Sequence, residues 1–166
     1  MQRSCPASLF VAVLILATPL TTVSAAETQP SKDPIARGKY LLTVGSCNDC
    51  HTAGFAPTDG KVPESQWLLG DAQLGFRGPW GTTYAPNLRL TLSRMTEDQW
   101  VHYAKNLRTR PPMPWFNLNQ WTEEDARAFY RYVRQLGPIG KAVPAGLPPE
   151  KAPSPPYIQW PAPPSK

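Results

Sequence analysis

The sequence predicts an all-α domain with long loops and a proline-rich, extended C-terminal tail. Three observations carry that prediction: helix-start signals at Asp33-Pro34, Thr96 and Thr122, a middle region without alternating strand patterns, and a final stretch dense in proline. Asp33 reads as an N-cap with Pro34 at the first helical position, and Ile35, Tyr40, Leu41, Leu42 and Val44 give a helix over 34–44 its apolar contacts. Gly38 is unfavourable inside a helix, so another helix is expected to pack closely against its bare backbone.

From 52 to 87, glycines and prolines punctuate short apolar pieces, which reads as loop. So long an irregular stretch needs something to organise it. Trp67, Leu68, Leu69, Phe76, Trp80, Tyr84 and Leu88 are the residues available to wrap a bound group. Thr96-Glu97-Asp98-Gln99 has capping-box spacing, and Trp100, Val101, Ala104 and Leu107 share one face of a helix from 97 to about 107. Thr122 opens the last helix with Glu123, Glu124 and Asp125 near the positive end of its dipole. Ala126, Phe129, Tyr130, Val133 and Leu136 repeat at three and four residues, Arg131 and Arg134 fall in the later turns, and Gly137-Pro138 stops the helix. Of the 21 prolines, 10 lie between Pro138 and Lys166, which excludes a helix or a central strand and predicts partly polyproline II backbone. Tyr157, Ile158 and Trp160 interrupt that tail as anchors, either on the domain itself or on another subunit.

The N-terminus resembles an export leader. Arg3 is a positive n-region, Leu9 to Leu20 is an apolar run broken only by Thr18 and Pro19, and Val23-Ser24-Ala25 offers small residues for cleavage. The run is short for a membrane span, so a signal peptide over 1–25, cut after Ala25 or Ala26, is expected, with an uncleaved anchor as the alternative. The remainder, about 140 residues, divides into a domain over 26–137 and the tail over 138–166. Losing Arg3 leaves 16 basic against 12 acidic residues, a net charge of +4. That excess suits steering toward an acidic protein partner; no basic run with interleaved aromatics supports nucleic acid. Lys39, Arg77, Arg108 and Arg110 are candidates for such steering.

Cys47-Asn48-Asp49-Cys50-His51 carries the chemistry. In an exported chain this spacing reads as a c-type haem attachment site: Cys47 and Cys50 for thioethers to the vinyl groups, His51 as the proximal iron ligand. A structural zinc site wants four Cys or His ligands, and beyond the leader only Cys47, Cys50, His51 and His102 remain, two of them adjacent. A thioredoxin-like pair would follow a strand, and none precedes Cys47. The expected fold is therefore helices wrapped around one covalent haem. For the second axial position, Met113 sits in a loop stiffened by Pro111, Pro112 and Pro114; Met95 precedes a helix cap and suits core packing, and His102 lies away from the apolar face of its helix. A thioether raises the potential relative to a second imidazole and favours electron transfer over bond-breaking. A filled, His/Met-ligated iron in the periplasm implies a one-electron carrier. A haem subunit locked in a dehydrogenase complex, or an enzyme or gas sensor with an open distal site, are the rivals.

With those motifs in place the chain resembles class I c-type cytochromes from about Ile35 to Leu136. Within that group it is similar to a haem module of the cytochrome c subunits of bacterial periplasmic dehydrogenases. The residues that carry the resemblance are RGKYLLTVGSCNDCHT, GPWGTTYAPNL, PPMPW and TEEDARAFYRYVRQL. It implies covalent haem at Cys47 and Cys50, iron ligation by His51 and Met113, and haem or propionate contact by Trp80, Tyr84 and Asn87. It also implies that the N-terminal helix crosses the C-terminal one, with Gly38 and Tyr40 near Phe129 and Tyr130. Redox proteins are the implied partners: a dehydrogenase as donor and an oxidase or reductase as acceptor. Such subunits usually carry several modules and an anchor, whereas this sequence has one haem motif followed by the proline-rich tail.

Overall fold

In the computed structural model, which describes residues 32–162, the Asp33 carboxylate accepts the Ile35 amide at 2.9 Å and α1 runs Pro34–Val44. The signal-peptide expectation for 1–25 lies outside the described residues, among which no helix is long and apolar enough to cross a membrane. The last helix, α6, spans Glu123–Leu136, capped by the Thr122 hydroxyl and ended at Gly137, where φ is 76°. We find the two helices in contact at Gly38, where an added Cβ would collide with the Ala128 carbonyl and the Tyr132 Cβ. Leu41 and Leu42 bury beside Gly38, as do Phe129, Tyr132 and Val133 from α6.

The crossing differs in one respect from expectation: Gly38 meets Ala128 and Tyr132, while Tyr40 is 55% exposed with the Arg37 guanidinium 5.5 Å from its ring centroid. Helical geometry explains this, because residues three and four after Gly38 share its face whereas Tyr40 points away from it.

The helix α4 runs Glu97–Asn106 with both halves of the capping box formed. It buries Trp100, whose indole donates to the Ala126 carbonyl at 2.9 Å and stacks 5.4 Å from Phe129. Three short helices stand between the long ones: α2 (Cys47–His51), α3 (Leu88–Ser93) and α5 (Trp115–Leu118).

A small sheet departs from the all-α reading. Strand β1 (Gly75–Gly78) pairs antiparallel with β2 (Gly81–Thr83) and parallel with β3 (Tyr157–Gln159), in the order β2-β1-β3. The tail thus returns to its own domain among the described residues. It enters at the sheet edge, where flanking prolines break no central ladder. Trp160 packs 6.1 Å from Phe76 and 6.2 Å from Trp80, which pins that edge.

Charged groups tie the elements together. Arg37 donates to Asp125 at 2.8 Å across α1 and α6, and Glu97 of α4 receives Arg131 at 2.9 Å and Arg127 at 3.3 Å. Arg89, only 4% exposed, donates to the Gly137 carbonyl at 2.5 Å, to Ser65 at 2.9 Å and to Leu136. Its charge sits at the α6 C-terminus, where a cation is favoured.

Gly38→Ala will force the helices apart and cost about 1–3 kcal/mol, as overpacking does; urea unfolding checks this, and unchanged stability would contradict the close approach. Acid sensitivity has a named source. The Arg131 and Arg127 hydrogen bonds hold the Glu97 carboxyl below the usual carboxylate range, and Lys39 with the Tyr132 hydroxyl does the same for Glu64. Because the folded values lie below the unfolded ones, this stabilisation is present above the ordinary Glu range of ~4.3 and is lost as pH falls through the depressed values. Glu97→Gln will therefore narrow the difference in urea midpoint between about pH 7 and pH 3.

Candidate functional site

The site begins where α1 ends. The Gly45 amide caps the helix on the Leu41 carbonyl at 2.8 Å, and Ser46 then adopts a left-handed conformation, φ 52°. That turn starts α2 with Cys47, Cys50 and His51 all on one cavity wall. Buried Asn48 holds α2 to the following loop: its carboxamide oxygen accepts the Thr52 hydroxyl at 2.7 Å, and the same hydroxyl oxygen accepts the Leu68 amide at 2.8 Å.

His51 is 6% exposed, with Nδ1 at 2.8 Å from the Pro86 carbonyl oxygen. A carbonyl only accepts, so Nδ1 carries the proton and Nε2 is the nitrogen left for a metal. Burial lowers the imidazole pKa and keeps the ring neutral, the form that ligates. Cys47 and Cys50 are free thiols. Burial pushes Cys47 up to about 12 and raises Cys50 as well, so both keep their protons near neutral pH.

The cavity they face holds about 930 Å³, near the top of the ~300–1,000 Å³ range of cofactor and ligand sites. Its walls are mainly apolar and aromatic, and include Phe76, Tyr84, Trp100, Trp121 and Phe129. Met113 lines it between Pro112 and Pro114, on the loop joining α4 to α5. That loop is fixed by the Thr83 hydroxyl donating to the Pro111 carbonyl at 2.8 Å, and by Arg108, which lies 4.2 Å from the Trp115 ring centroid. Met95 and His102 are not on the cavity wall: Met95 packs against the core and His102 is exposed.

Of the three residues expected to touch the cofactor, Tyr84 lines the cavity, while Trp80 and Asn87 do not. Trp80 packs on Trp160, and its buried indole N–H has no hydrogen-bond partner among the described residues. The Asn87 side chain caps α3 through the Leu90 amide at 3.0 Å and donates to the Ile139 carbonyl at 2.9 Å. Among the other wrapping candidates, Phe76 and Leu88 reach the cavity, Leu68 is core, and Trp67 stacks edge-on to Phe55 at 5.9 Å. Sequence reasoning missed Trp121, and also Val143, Pro144 and Gly146 of the tail, as wall residues. A tail residue gives no local signal of where it will dock.

The four steering candidates are mostly engaged. Lys39 pairs with Glu64, Arg108 donates to Asn119 at 2.5 Å, and Arg77 and Arg110 donate to backbone carbonyls of the tail.

The residues suit haem: an apolar cavity of sufficient size, two free thiols one turn apart, a neutral imidazole and a thioether on the same walls. Together they resemble a haem module of the kind found in dehydrogenase cytochrome subunits. The chain is 30% identical over 149 residues to the fructose dehydrogenase cytochrome subunit of Gluconobacter japonicus, a match covering 79% of this chain and 28% of that protein. It therefore spans little more than a quarter of the relative's length. No family model matches the chain, and no solved structure matches it.

Proposed function

We propose that the chain is a periplasmic electron-transfer protein that carries one electron on a single haem c. Cys47 and Cys50 form the thioethers, and His51 and Met113 hold the iron. The observation that supports this most directly is that Cys47, Cys50, His51 and Met113, separated by up to 66 positions in sequence, line one cavity. When bound, haem supplies a one-electron ferric/ferrous couple.

Each residue has a task that follows from its setting. Cys47 and Cys50, one turn apart on α2 and facing the cavity, would hold the haem through thioethers to its vinyl groups. The Pro86 carbonyl fixes the His51 tautomer, orients the ring and raises its basicity toward iron. Met113 offers a neutral soft donor that favours the ferrous state. Its loop, anchored at Pro111 by Thr83, resists opening. With His51 and Met113 both committed to the iron and the walls mainly apolar, the site would favour electron exchange with a redox protein partner over substrate chemistry at the metal.

A second reading follows from the relative's description as a dehydrogenase cytochrome subunit. In that case the chain works as a haem subunit of such a complex, taking electrons from the dehydrogenase and passing them to an oxidase or reductase. Co-elution with a dehydrogenase on purification supports the subunit; a free monomer supports the diffusible carrier.

Wild-type protein will retain its haem through acidified organic extraction, whereas the double variant Cys47→Ala/Cys50→Ala will release it; release from wild type would overturn covalent attachment. Met113→Ala will abolish the near-infrared sulfur-to-iron band and allow carbon monoxide to bind the ferrous protein. Its potential will fall by on the order of a tenth of a volt or more, within the ~0.8 V that axial ligation spans. An unchanged potential with no carbon monoxide binding would refute Met113 as ligand.

A further inference from the structure

The proline-rich tail does more than lie on the surface, because it supplies part of the cavity. Val143, Pro144 and Gly146 line the same space as Cys47, His51 and Met113. The tail is fastened along its length. Asn87 donates to Ile139, the Thr82 and Leu147 backbones exchange hydrogen bonds at 2.9 Å in both directions, and Arg77 donates to Pro149 at 3.1 Å and Lys151 at 2.7 Å. The Trp160 amide then donates to the Arg77 carbonyl at 2.7 Å.

Arg110 joins this strap to the methionine loop. It precedes Pro111-Pro112-Met113, and its guanidinium donates to the Trp80 and Leu147 carbonyls, each at 3.2 Å. Gly146 passes so close that an added Cβ would collide with Arg110 Nη2 and crowd the Thr82 carbonyl oxygen at 2.6 Å. At Gly81, φ 95°, a Cβ would strike the Leu147 carbonyl. Glycine at both positions lets the strap seat against β2 and the arginine.

We propose that the tail from Ile139 to Trp160 is a wall of the haem site, and that Arg77 and Arg110 are positioning residues that fasten it across the Met113 loop. This rests on the haem reading above. The strap then sets how often the Met113 side opens to outside ligands. A tail serving only as a tether would leave the iron indifferent to its detachment.

The test uses the whole haem-loaded chain and two variants: Arg77→Met, which has no N–H to give the tail carbonyls, and Gly146→Val, which pushes the strap off Arg110. Hydrogen exchange at the Thr82 and Leu147 amides reports detachment, while carbon monoxide binding and the sulfur-to-iron band report the site. In each variant, amide protection is expected to fall about tenfold or more, the scale of losing a pair of hydrogen bonds. Carbon monoxide binding will rise in step and the band will weaken, with covalent haem content unchanged. Arg77→Lys, which keeps one donor nitrogen in place of two, will recover part of the protection and of the band. Lost protection with an unaltered band and no carbon monoxide binding overturns the wall; intact protection in both variants overturns Arg77 and Arg110 as the points of attachment. Met113→Ala in the same assay separates the two ideas. If it gains carbon monoxide binding while the strap variants do not, the strap proposal fails and the ligand set stands; if it gains none, the ligand set fails.

Discussion

At Gly38 the backbones of α1 and α6 approach until no side chain fits between them, and the site inherits its position from that contact. The end of α1 sets Ser46, whose left-handed turn aims α2 and with it the two thiols and His51. The opposite partner, α6, brings Phe129 to the cavity and fixes Trp100 of α4 through the Ala126 carbonyl. A wider crossing would move the Cys47–His51 turn relative to the aromatic wall. The glycine's entropic cost, roughly 0.5–1 kcal/mol against alanine, is therefore borne where it decides geometry.

The buried polar groups of the fold are mostly paired with one another or with backbone. His51 gives its Nδ1 proton to Pro86, Asn48 and Thr52 satisfy each other and the Leu68 amide, and Arg89 spends its donors on the carbonyls that end α6. Each bond spares a buried group the ~1–3 kcal/mol of going unpaired. The Pro86 bond also orients the imidazole, so what makes its burial tolerable leaves Nε2 as the ring nitrogen without that proton.

What could be read from the sequence was what short stretches determine alone. Caps at Asp33, Thr96 and Thr122 act within three residues of themselves, and all three helices start where those signals stand. The CxxCH turn is local too, and the close packing expected at Gly38 followed from the cost of glycine in a helix. The sheet was hidden because its strands span only four, three and three residues, too short and glycine-rich for a period of two to emerge. Its parallel pair joins Gly75 to Tyr157, a partner no window of sequence connects. Trp80 and Asn87 show the other limit. An aromatic ring and a carboxamide beside a cofactor motif suit contact with the cofactor, yet here Asn87 caps α3 and holds the tail while Trp80 receives Trp160. The cap on Leu88–Ser93 was itself a readable asparagine signal, masked by the run of loop residues before it.

The tail's composition explains how it is held. A proline-rich segment has little conformational freedom to lose on docking, so few contacts suffice to seat it. Proline also lacks an N–H, so such a segment presents mostly carbonyl acceptors and its fasteners must be donors from elsewhere. The bonds observed follow that rule: Arg77 to Pro149 and Lys151, Arg110 to Leu147, Asn87 to Ile139 and Lys141. Where the strap donates to the rest of the fold, as at Leu147 and Trp160, the residue is not proline and the acceptor is a strand carbonyl, from Thr82 and Arg77. Arg77 and Arg110 thus hold the tail while keeping their positive charge, because a carbonyl acceptor neutralises nothing.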